Sequence, residues 1–300
     1  MLKLLFTIAA RLPLRVLHGA GAVIGRMVYR FSAGYRQHLD ANLAQAGYTD
    51  AATRKAAVEE AGKSMAELPA VWLRPPEQVA RLVLETRGWA WIERAHAAHR
   101  PIVFLTPHLG CFEIAAQVYA HRAPPDKPIT VLYRRPRKAA LTPLIESGRE
   151  RPNMKLASAD FSGVRALIRA LRRGEAAGLL PDQTPQFGEG VWAPIFGRPA
   201  YTMTLVKRLV RSSDAVLLLA VAHRLDAGRG YRLIIRPFDA PLADNMPEAA
   251  AQVNGALEVL IRECPAQYLW SYDRYKAPRG SPGNGSAADR RNPGALPECR

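Results

Sequence analysis

The chain is poor in cysteine, in acid and in long apolar runs, and each shortage closes off a class of protein. Its 3 cysteines, Cys111, Cys264 and Cys299, form an odd set with no CxxC and no metal-ligand spacing. Neither a disulfide framework nor a zinc site is expected, no metal is called for, and a reducing compartment is the simplest setting. Acidic residues number 26 against 42 Lys and Arg, for a formal net charge of +16 and a pI near 10.3. That balance chooses no fold, but it attracts polyanions: nucleic acid, an anionic membrane face or an acidic carrier protein. There is no internal repeat, no Gly-rich phosphate loop and no zinc-knuckle, helix-turn-helix or aromatic RNA-binding signature. A basic nucleic-acid module is therefore the weakest account of the charge.

Long hydrophobic stretches are also missing. The first thirty residues are apolar, yet Lys3, Arg11, Arg15 and Arg26 interrupt them and Pro13 stands in the middle. The longest run there free of charge is 16–25, too short for an unambiguous spanning helix. A charge at mid-membrane costs roughly 2.5–3.5 kcal/mol on insertion scales, which disfavours burying Arg11 and Arg15 together. No small-residue cleavage site marks a signal peptide. Residues 1–30 read as a basic amphipathic anchor lying in the membrane interface, against anionic lipid. The alternative is a helix packed on the protein's own core.

What is present is ample for a sizeable core: 300 residues, 48% hydrophobic and 23% charged. From 31 to 88 the pattern is helical, punctuated by Pro75-Pro76, and 89–99 reads as one more helix ahead of Pro101. The character then changes to short apolar or β-rich runs at 102–105, 129–133, 178–180, 216–222 and 231–235. Between them, 161–173 is amphipathic. Val164, Leu167, Ile168 and Leu171 share one face, Arg165, Arg169, Arg172 and Arg173 form a basic flank, and Gly174 stands at the C′ position. Strands alternating with helices predict an α/β protein, a central mixed sheet flanked by helices. The last two strands, joined by LDAGRG, read as an antiparallel hairpin at the end of the sheet. From 278 onward a Gly-, Pro-, Ser- and Arg-rich tail reads as disordered, leaving 31–277 as one domain.

The chemistry is expected at TPHLGCFE, 106–113, directly after the apolar run 102–105. Ligands of α/β sheets gather beyond the C-terminal ends of strands, and His108 stands there. Gly110 permits a tight turn and close approach of a substrate, and Glu113 falls in the first turn of the next helix. A His just outside a helix and a Glu just inside it can meet across the turn. Such a pair is a general-base unit for deprotonating a hydroxyl. A lone His near a strand end is more often a satisfied polar residue, so the spacing gains weight only from its strand-turn-helix context. Cys111, near a helix N-terminus, offers a rival thiol nucleophile, or simply a small core residue.

The order of motifs resembles the late acyltransferases of lipid A biosynthesis (the lauroyl/myristoyl acyltransferases), within the lysophospholipid acyltransferase-like superfamily. H-x-G-x-x-E is matched by His108, Gly110 and Glu113, and YRRPRK follows with Tyr133, Arg134 and Lys138. Then come LTPLIESGR with Arg149, LRRG, and LLPDQ with Asp182 and Gln183. VWAPIFGRPAYT spans 191–202, and QYLWSYDRYK closes with Trp270, Arg274 and Lys276. Upstream, YRQHLDANLAQAGY with Arg36 and Asn42 is similar to the family's R-x-x-x-x-x-N-L segment. The departures are HLGCFE where the family usually has HFGNWE, and Ile195-Phe196 where it has two Phe.

The resemblance implies transfer of a fatty acyl group from acyl carrier protein to a hydroxyl of a lipid A precursor, without cofactor, at the cytoplasmic face of the inner membrane. His108 and Glu113 would be the catalytic pair. Arg149 would stabilise the thioester oxyanion or hold an acceptor phosphate, unless it is a solvated helix residue. Asp182 would orient Arg149 or a sugar hydroxyl, unless it is a plain turn residue. Arg134 and the basic residues after it would meet carrier protein or acceptor. The partners implied are acyl carrier protein, the lipid A precursor and anionic inner-membrane lipid, with no nucleic acid. The same residues would equally suit a phospholipid or another glycolipid as acceptor. An Asp at the last motif position is more usual for glycerolipid enzymes, so Glu113 favours the lipid A branch.

Overall fold

A computed structural model describes residues 2–134, 142–278 and 280–281. The chain opens with helices α1 (Leu2–Arg11), α2 (Leu14–Phe31), α3 (Ala33–Gln45), α4 (Ala51–Ala66), α5 (Leu68–Leu73) and α6 (Pro76–Arg81). An alternating region follows: β1 (Val83–Arg87), α7 (Ala90–Ala97), β2 (Ile102–Leu105), α8 (Phe112–Arg122), β3 (Ile129–Tyr133), α9 (Thr142–Arg149), β4 (Met154–Ser158), α10 (Phe161–Arg172) and β5 (Ala176–Leu179). It ends with a β6 (Gly190–Ile195)–β7 (Arg198–Met203) hairpin, α11 (Leu205–Ser213), β8 (Val216–Arg224), β9 (Tyr231–Pro237) and α12 (Met246–Glu263).

Seven strands form one sheet in the order β1-β9-β8-β2-β5-β3-β4. The pairings are parallel except β8 with β9, so the sheet is mixed, as expected. All four residues of β2 are buried. A strand covered on both faces reads as a continuous apolar run, which is why 102–105 stood out. One core, with Leu105, Leu167, Leu171, Val206, Leu209 and Leu257, lies under α10, α11 and α12. The other, with Ile92, Phe104, Ile114, Val118 and Leu233, lies under α7 and α8.

Several expectations need correction. The antiparallel β8–β9 hairpin forms, but β1 lies outside it, so β9 is not the sheet's edge. Residues 83–87 were expected to be helical; they form that edge strand, with Glu85 of β1 paired across to Arg232 of β9. Edge strands tolerate charged side chains, here Glu85 and Arg87, which break up the β pattern. At the other edge β4, with Lys155 and Ser158 among its five residues, was likewise not anticipated. The β6–β7 hairpin was not anticipated, because Pro194 and Pro199 oppose each other within it. Proline removes a ladder donor and is tolerated where a strand has an open side, as in a two-stranded ribbon. Its turn, Phe196-Gly197, has both residues at positive φ, as a tight two-residue hairpin loop needs. The amphipathic 161–173 segment is α10, with Asp160 capping its first turn and Leu167 and Leu171 buried. The tail from 278 lies almost wholly outside the described residues.

At the N-terminus, Pro13 separates α1 from α2, and each helix is two-faced. Leu14, Leu17, His18, Gly21 and Gly25 are buried, while Leu4, Leu5, Ile8, Val16, Val23, Ile24, Met27 and Phe31 are exposed. Among the described residues, no helix is long and apolar enough to cross a membrane. The buried face of α2 lies directly on α4. A Cβ placed on Gly62 would stand 2.0 Å from the Gly21 carbonyl oxygen, and one on Gly25 2.3 Å from that of Val58.

That backbone-to-backbone contact makes a prediction. Gly62→Ala should destabilise by about 1–3 kcal/mol, the scale of overpacking. Gly255→Ala, in α12 where an added Cβ meets nothing within 4 Å, should stabilise by up to about 1 kcal/mol. Denaturant midpoints of the two variants should move in opposite directions; equal shifts would contradict the packing.

Candidate active site

The register of two central strands assembles the site. β2 and β5 run parallel with Leu105 opposite Leu179. His108 and Asp182 each lie three residues past that pair, so the two side chains meet beyond the C-terminal edge of the sheet. His108 Nδ1 is 2.7 Å from Asp182 Oδ1, and the His108 backbone N–H donates to Oδ2 at 2.8 Å. With Nδ1–H donating to the carboxylate, Nε2 carries the lone pair and faces the Gln183 amide nitrogen at 3.1 Å. Asp182 is 2% exposed. Burial works to raise its pKa, but the His108 charge and hydrogen bonds, with Arg274 nearby, hold it below the usual value. The carboxylate therefore stays ionised beside the ring, fixing the tautomer and ready to stabilise an imidazolium.

Glu113 falls in the first turn of α8, as expected, but its partner differs from expectation. The hydrogen bonds of the His108 ring go to Asp182 and Gln183. Glu113 instead takes Arg149 in a two-pronged ion pair, one arm at 2.9 Å, and accepts from Trp72 Nε1 at 3.2 Å. The Arg149 guanidinium also lies over the Trp72 ring, 5.4 Å from its centre. A fork of two parallel N–H···O bonds is the geometry that arginine and carboxylate favour, whereas imidazole presents one N–H. Arg149 is thus neither a free solvated residue nor oriented by Asp182. The expected cast is assembled in one place, but with the carboxylates exchanged.

Gly110 has φ +60°, and a Cβ there would stand 2.1 Å from the Ala222 carbonyl oxygen. The close approach it permits is therefore to strand β8, not to a substrate. Cys111 N–H donates to that same Ala222 oxygen at 2.8 Å, and Gly110 N–H to the Gln267 carbonyl at 3.0 Å. Cys111 is buried; burial, with Glu67 beside it, pushes its thiol pKa well up. A thiol held protonated is a poor nucleophile, so the rival reading of Cys111 loses its physical basis. Arg134 borders the site and donates weakly to the Thr184 carbonyl at 3.4 Å. Arg135, Arg137 and Lys138 lie outside the described residues.

Behind the turn lies a buried cluster that spacing did not reveal. Glu67, at the α4–α5 junction, accepts from Arg224 at 2.8 and 2.9 Å, from Tyr231 at 2.9 Å, and bonds His18 Nε2 at 3.0 Å. Arg224 also donates to Glu60 at 3.1 Å and to the Gly110 carbonyl at 2.8 Å. Burial opposes ionisation of Glu67, but the Arg224 charge and the His18 and Arg224 hydrogen bonds overcome it and hold its pKa at about 2. Other motif residues also prove structural. Asn42 donates to the carbonyls of Trp270 and Tyr272, and Arg274 to Tyr201 O and Thr202 Oγ1.

Beneath His108 opens a cavity of about 290 Å³. Its mouth carries His108, Glu113, Arg134, Arg149 and Gln183. Its depth, between the sheet and α7–α8, is lined by Ile92, Phe104, Ala115, Ala116, Tyr119, Ile129, Val131, Leu233 and Ile235. Tyr119 turns its hydroxyl out of this lining to the Lys127 carbonyl at 3.1 Å and to His96 at 3.0 Å, leaving the ring as wall. His108, a paired guanidinium and a largely apolar cavity thus share one opening.

A family model described as bacterial lipid A biosynthesis acyltransferase matches residues 2–277. The lipid A biosynthesis lauroyltransferase of Escherichia coli (strain K12) is 28% identical over 284 residues, covering 92% of this chain and 90% of its own. The lipid A biosynthesis palmitoleoyltransferase of the same strain is 28% identical over 217 residues, covering 72% and 68%.

The buried cluster predicts an acid limit. The folded-state pKa of Glu67, about 2, lies below its ordinary 4.5. The stability it contributes is therefore complete above about 4.5 and fades as pH falls toward 2. Glu67→Ala, which leaves buried Arg224 with the single arm to Glu60 in place of its two-pronged partner, should cost about 3–5 kcal/mol at neutral pH. Urea midpoints against pH for the wild type and Glu67→Gln check this; parallel curves between pH 2 and 4.5 would contradict it.

Proposed function

The chain belongs to the bacterial lipid A biosynthesis acyltransferase family, and from that premise we propose that it transfers a fatty acyl group from acyl carrier protein to a hydroxyl of a lipid A precursor. The observation that carries the reading is the His108–Asp182 pair at the mouth of an apolar cavity. The cavity takes the acyl tail, each buried methylene contributing roughly 0.8 kcal/mol. The thioester then sits at the mouth, where His108 Nε2 removes the proton of the acceptor hydroxyl.

The resulting alkoxide oxygen attacks the thioester carbonyl. A C–O bond forms, the tetrahedral intermediate collapses, and the C–S bond breaks. The thiolate leaves with the proton that the imidazolium held, so the base is regenerated. Asp182 supports the imidazolium between the two transfers. Arg149, held by Glu113 and Trp72, supplies a fixed positive charge for the developing oxyanion or for an acceptor phosphate. A cation fixed in advance costs no reorganisation when charge develops. Gln183 keeps Nε2 in its accepting state until the hydroxyl replaces it.

The exposed apolar face of α1 and α2, interrupted by basic residues, suits a helix pair lying in the interface of an anionic membrane. That placement would put the enzyme at the cytoplasmic face of the inner membrane, with acceptor in the bilayer and donor in the cytosol.

The test is acyl transfer from acyl carrier protein to a Kdo-bearing lipid A precursor, read as the mass of the product. A gain of one acyl chain, lost in His108→Ala, is expected. No gain with any carrier-bound chain would overturn the reading, and gain on glycerolipids alone would move the acceptor.

Two variants test the assignment of carboxylates. Asp182→Asn should lower kcat nearly as far as His108→Ala, on the general-base scale of roughly 10²–10⁴. If Glu113→Gln did so while Asp182→Asn stayed active, the base would be paired as its spacing first implied. Ala116→Phe, which fills the cavity behind the mouth, should shift preference to shorter acyl donors. An unchanged product-length distribution would remove the tail from the cavity.

A further inference from the structure

Two neighbouring helices carry cations that the chemistry above leaves unused. On α10, Arg165, Arg169 and Arg172 are spaced i, i+4 and i+7 and are all exposed. On α11, which packs beside it, Arg208 and Arg211 are spaced i, i+3 and exposed. Neither helix contains a carboxylate, and no described acid forms an ion pair with these five guanidiniums. Asp160, at the head of α10, spends its carboxylate on Ser158, Ser162 and Gly163 in the helix cap. Like charges one turn apart weaken a helix, so these arginines work against the two helices that carry them.

Both helices start beside the cavity. Ala159 lines it two residues before α10 begins, and Met203 lines it two residues before α11 begins. At that end Phe161 stands 72% exposed, with the Arg165 guanidinium 4.7 Å from its ring centre. An exposed aromatic beside arginine, on a charged face, is the composition that anchors a protein partner.

We propose that acyl carrier protein docks on the exposed faces of α10 and α11, its acidic surface against Arg165, Arg169, Arg172, Arg208 and Arg211. This rests on the reading that carrier protein is the donor. The acidic partner supplies the counter-charges that the fold leaves out. Seated there, it delivers its thioester arm over Ala159 and Met203 directly to His108. A membrane is the poorer occupant, because Phe161 is the one large apolar side chain exposed on either helix among the described residues. The exposed apolar face of the N-terminal region lies on other helices, α1 and α2. Donor and bilayer would thus engage different helices.

The experiment compares two donors of one acyl group, carrier protein and pantetheine, with the lipid precursor held in mixed micelles. The charge-reversal pairs Arg165→Glu/Arg169→Glu and Arg208→Glu/Arg211→Glu should each raise KM for acyl carrier protein on the order of 10-fold, the lower range of electrostatic steering. Turnover of the pantetheine thioester should not change in either variant. Added salt should weaken wild-type use of carrier protein and affect the variants little.

An unchanged KM for carrier protein in both pairs would overturn the docking face alone. Equal losses with both donors would assign these arginines to the site or the fold and overturn it too. Lost pelleting with phosphatidylglycerol vesicles at unchanged KM would give the face to lipid. If the wild-type enzyme used the pantetheine thioester but not carrier protein, the donor reading and the docking face would fall together.

Discussion

The buried pair between Glu67 and Arg224 is the constraint on which the site depends. Glu67 sits where the N-terminal helices turn, 1% exposed, and Arg224 ends the strand β8. Buried ion pairs are often no more stabilising than a well-packed apolar pair of the same volume. Stability alone therefore does not account for this one. What an apolar pair could not do is reach outward. Arg224 extends to the carbonyl of Gly110, and Glu67 to Tyr231 and His18. Helix α2, strands β8 and β9 and the turn carrying His108 are thereby set in one register. Gly110, held by Arg224 on its carbonyl and Gln267 on its amide, leaves little freedom for the residue two places before it.

Within that frame the two carboxylates at the mouth divide their work by what each cation can accept. Asp182 is deeply buried and contributes one oxygen to the ring and one to the backbone amide of the same residue. Both of its oxygens are thus spent on His108. Glu113 faces a guanidinium, whose fork matches both carboxylate oxygens at once. Exchanging them would leave a planar fork with half its donors unmet and an imidazole beside a surplus acceptor. Trp72 then closes the arrangement, donating to Glu113 while its ring carries Arg149. The charge at the mouth is held by packing rather than by solvent.

How much of this was legible in the sequence follows from the range of the forces involved. The strand 102–105 declared itself because burial on both faces leaves an unbroken apolar run, and His108 and Glu113 were placed correctly relative to it. The pairing of His108 with Asp182 is set by the register of β2 on β5, seventy-odd residues apart along the chain. No local pattern encodes that register. Asp182 and Gln183 were visible as members of a motif, without the geometry that gives them partners. Edge strands β1 and β4 escaped because charged and polar residues interrupt their apolar pattern, and β6–β7 because opposed prolines mask a ribbon. The Glu67 cluster had no signal at all: a Glu within a helical stretch and an Arg after an apolar strand each read as surface residues.

The N-terminal segment shows why two readings of one amphipathic stretch need not exclude each other. An interfacial helix and a packed helix were posed as alternatives, yet α2 has one face locked to α4 through Gly21, Gly25 and Gly62, and the other exposed and apolar. Glycines at the contact bring the two backbones together and leave no room for α2 to shift on its support. His18, on that same locked face, is bonded to Glu67, which holds Arg224 and through it Gly110. A helix pair resting in a bilayer would therefore not tether the enzyme through a loose arm. It would fix the height and tilt of the turn that carries His108 above the lipid surface through a chain of four buried groups. On the proposed function, with an acceptor whose hydroxyl sits at a set depth in a membrane, rigidity between α2 and His108 would be worth more than reach.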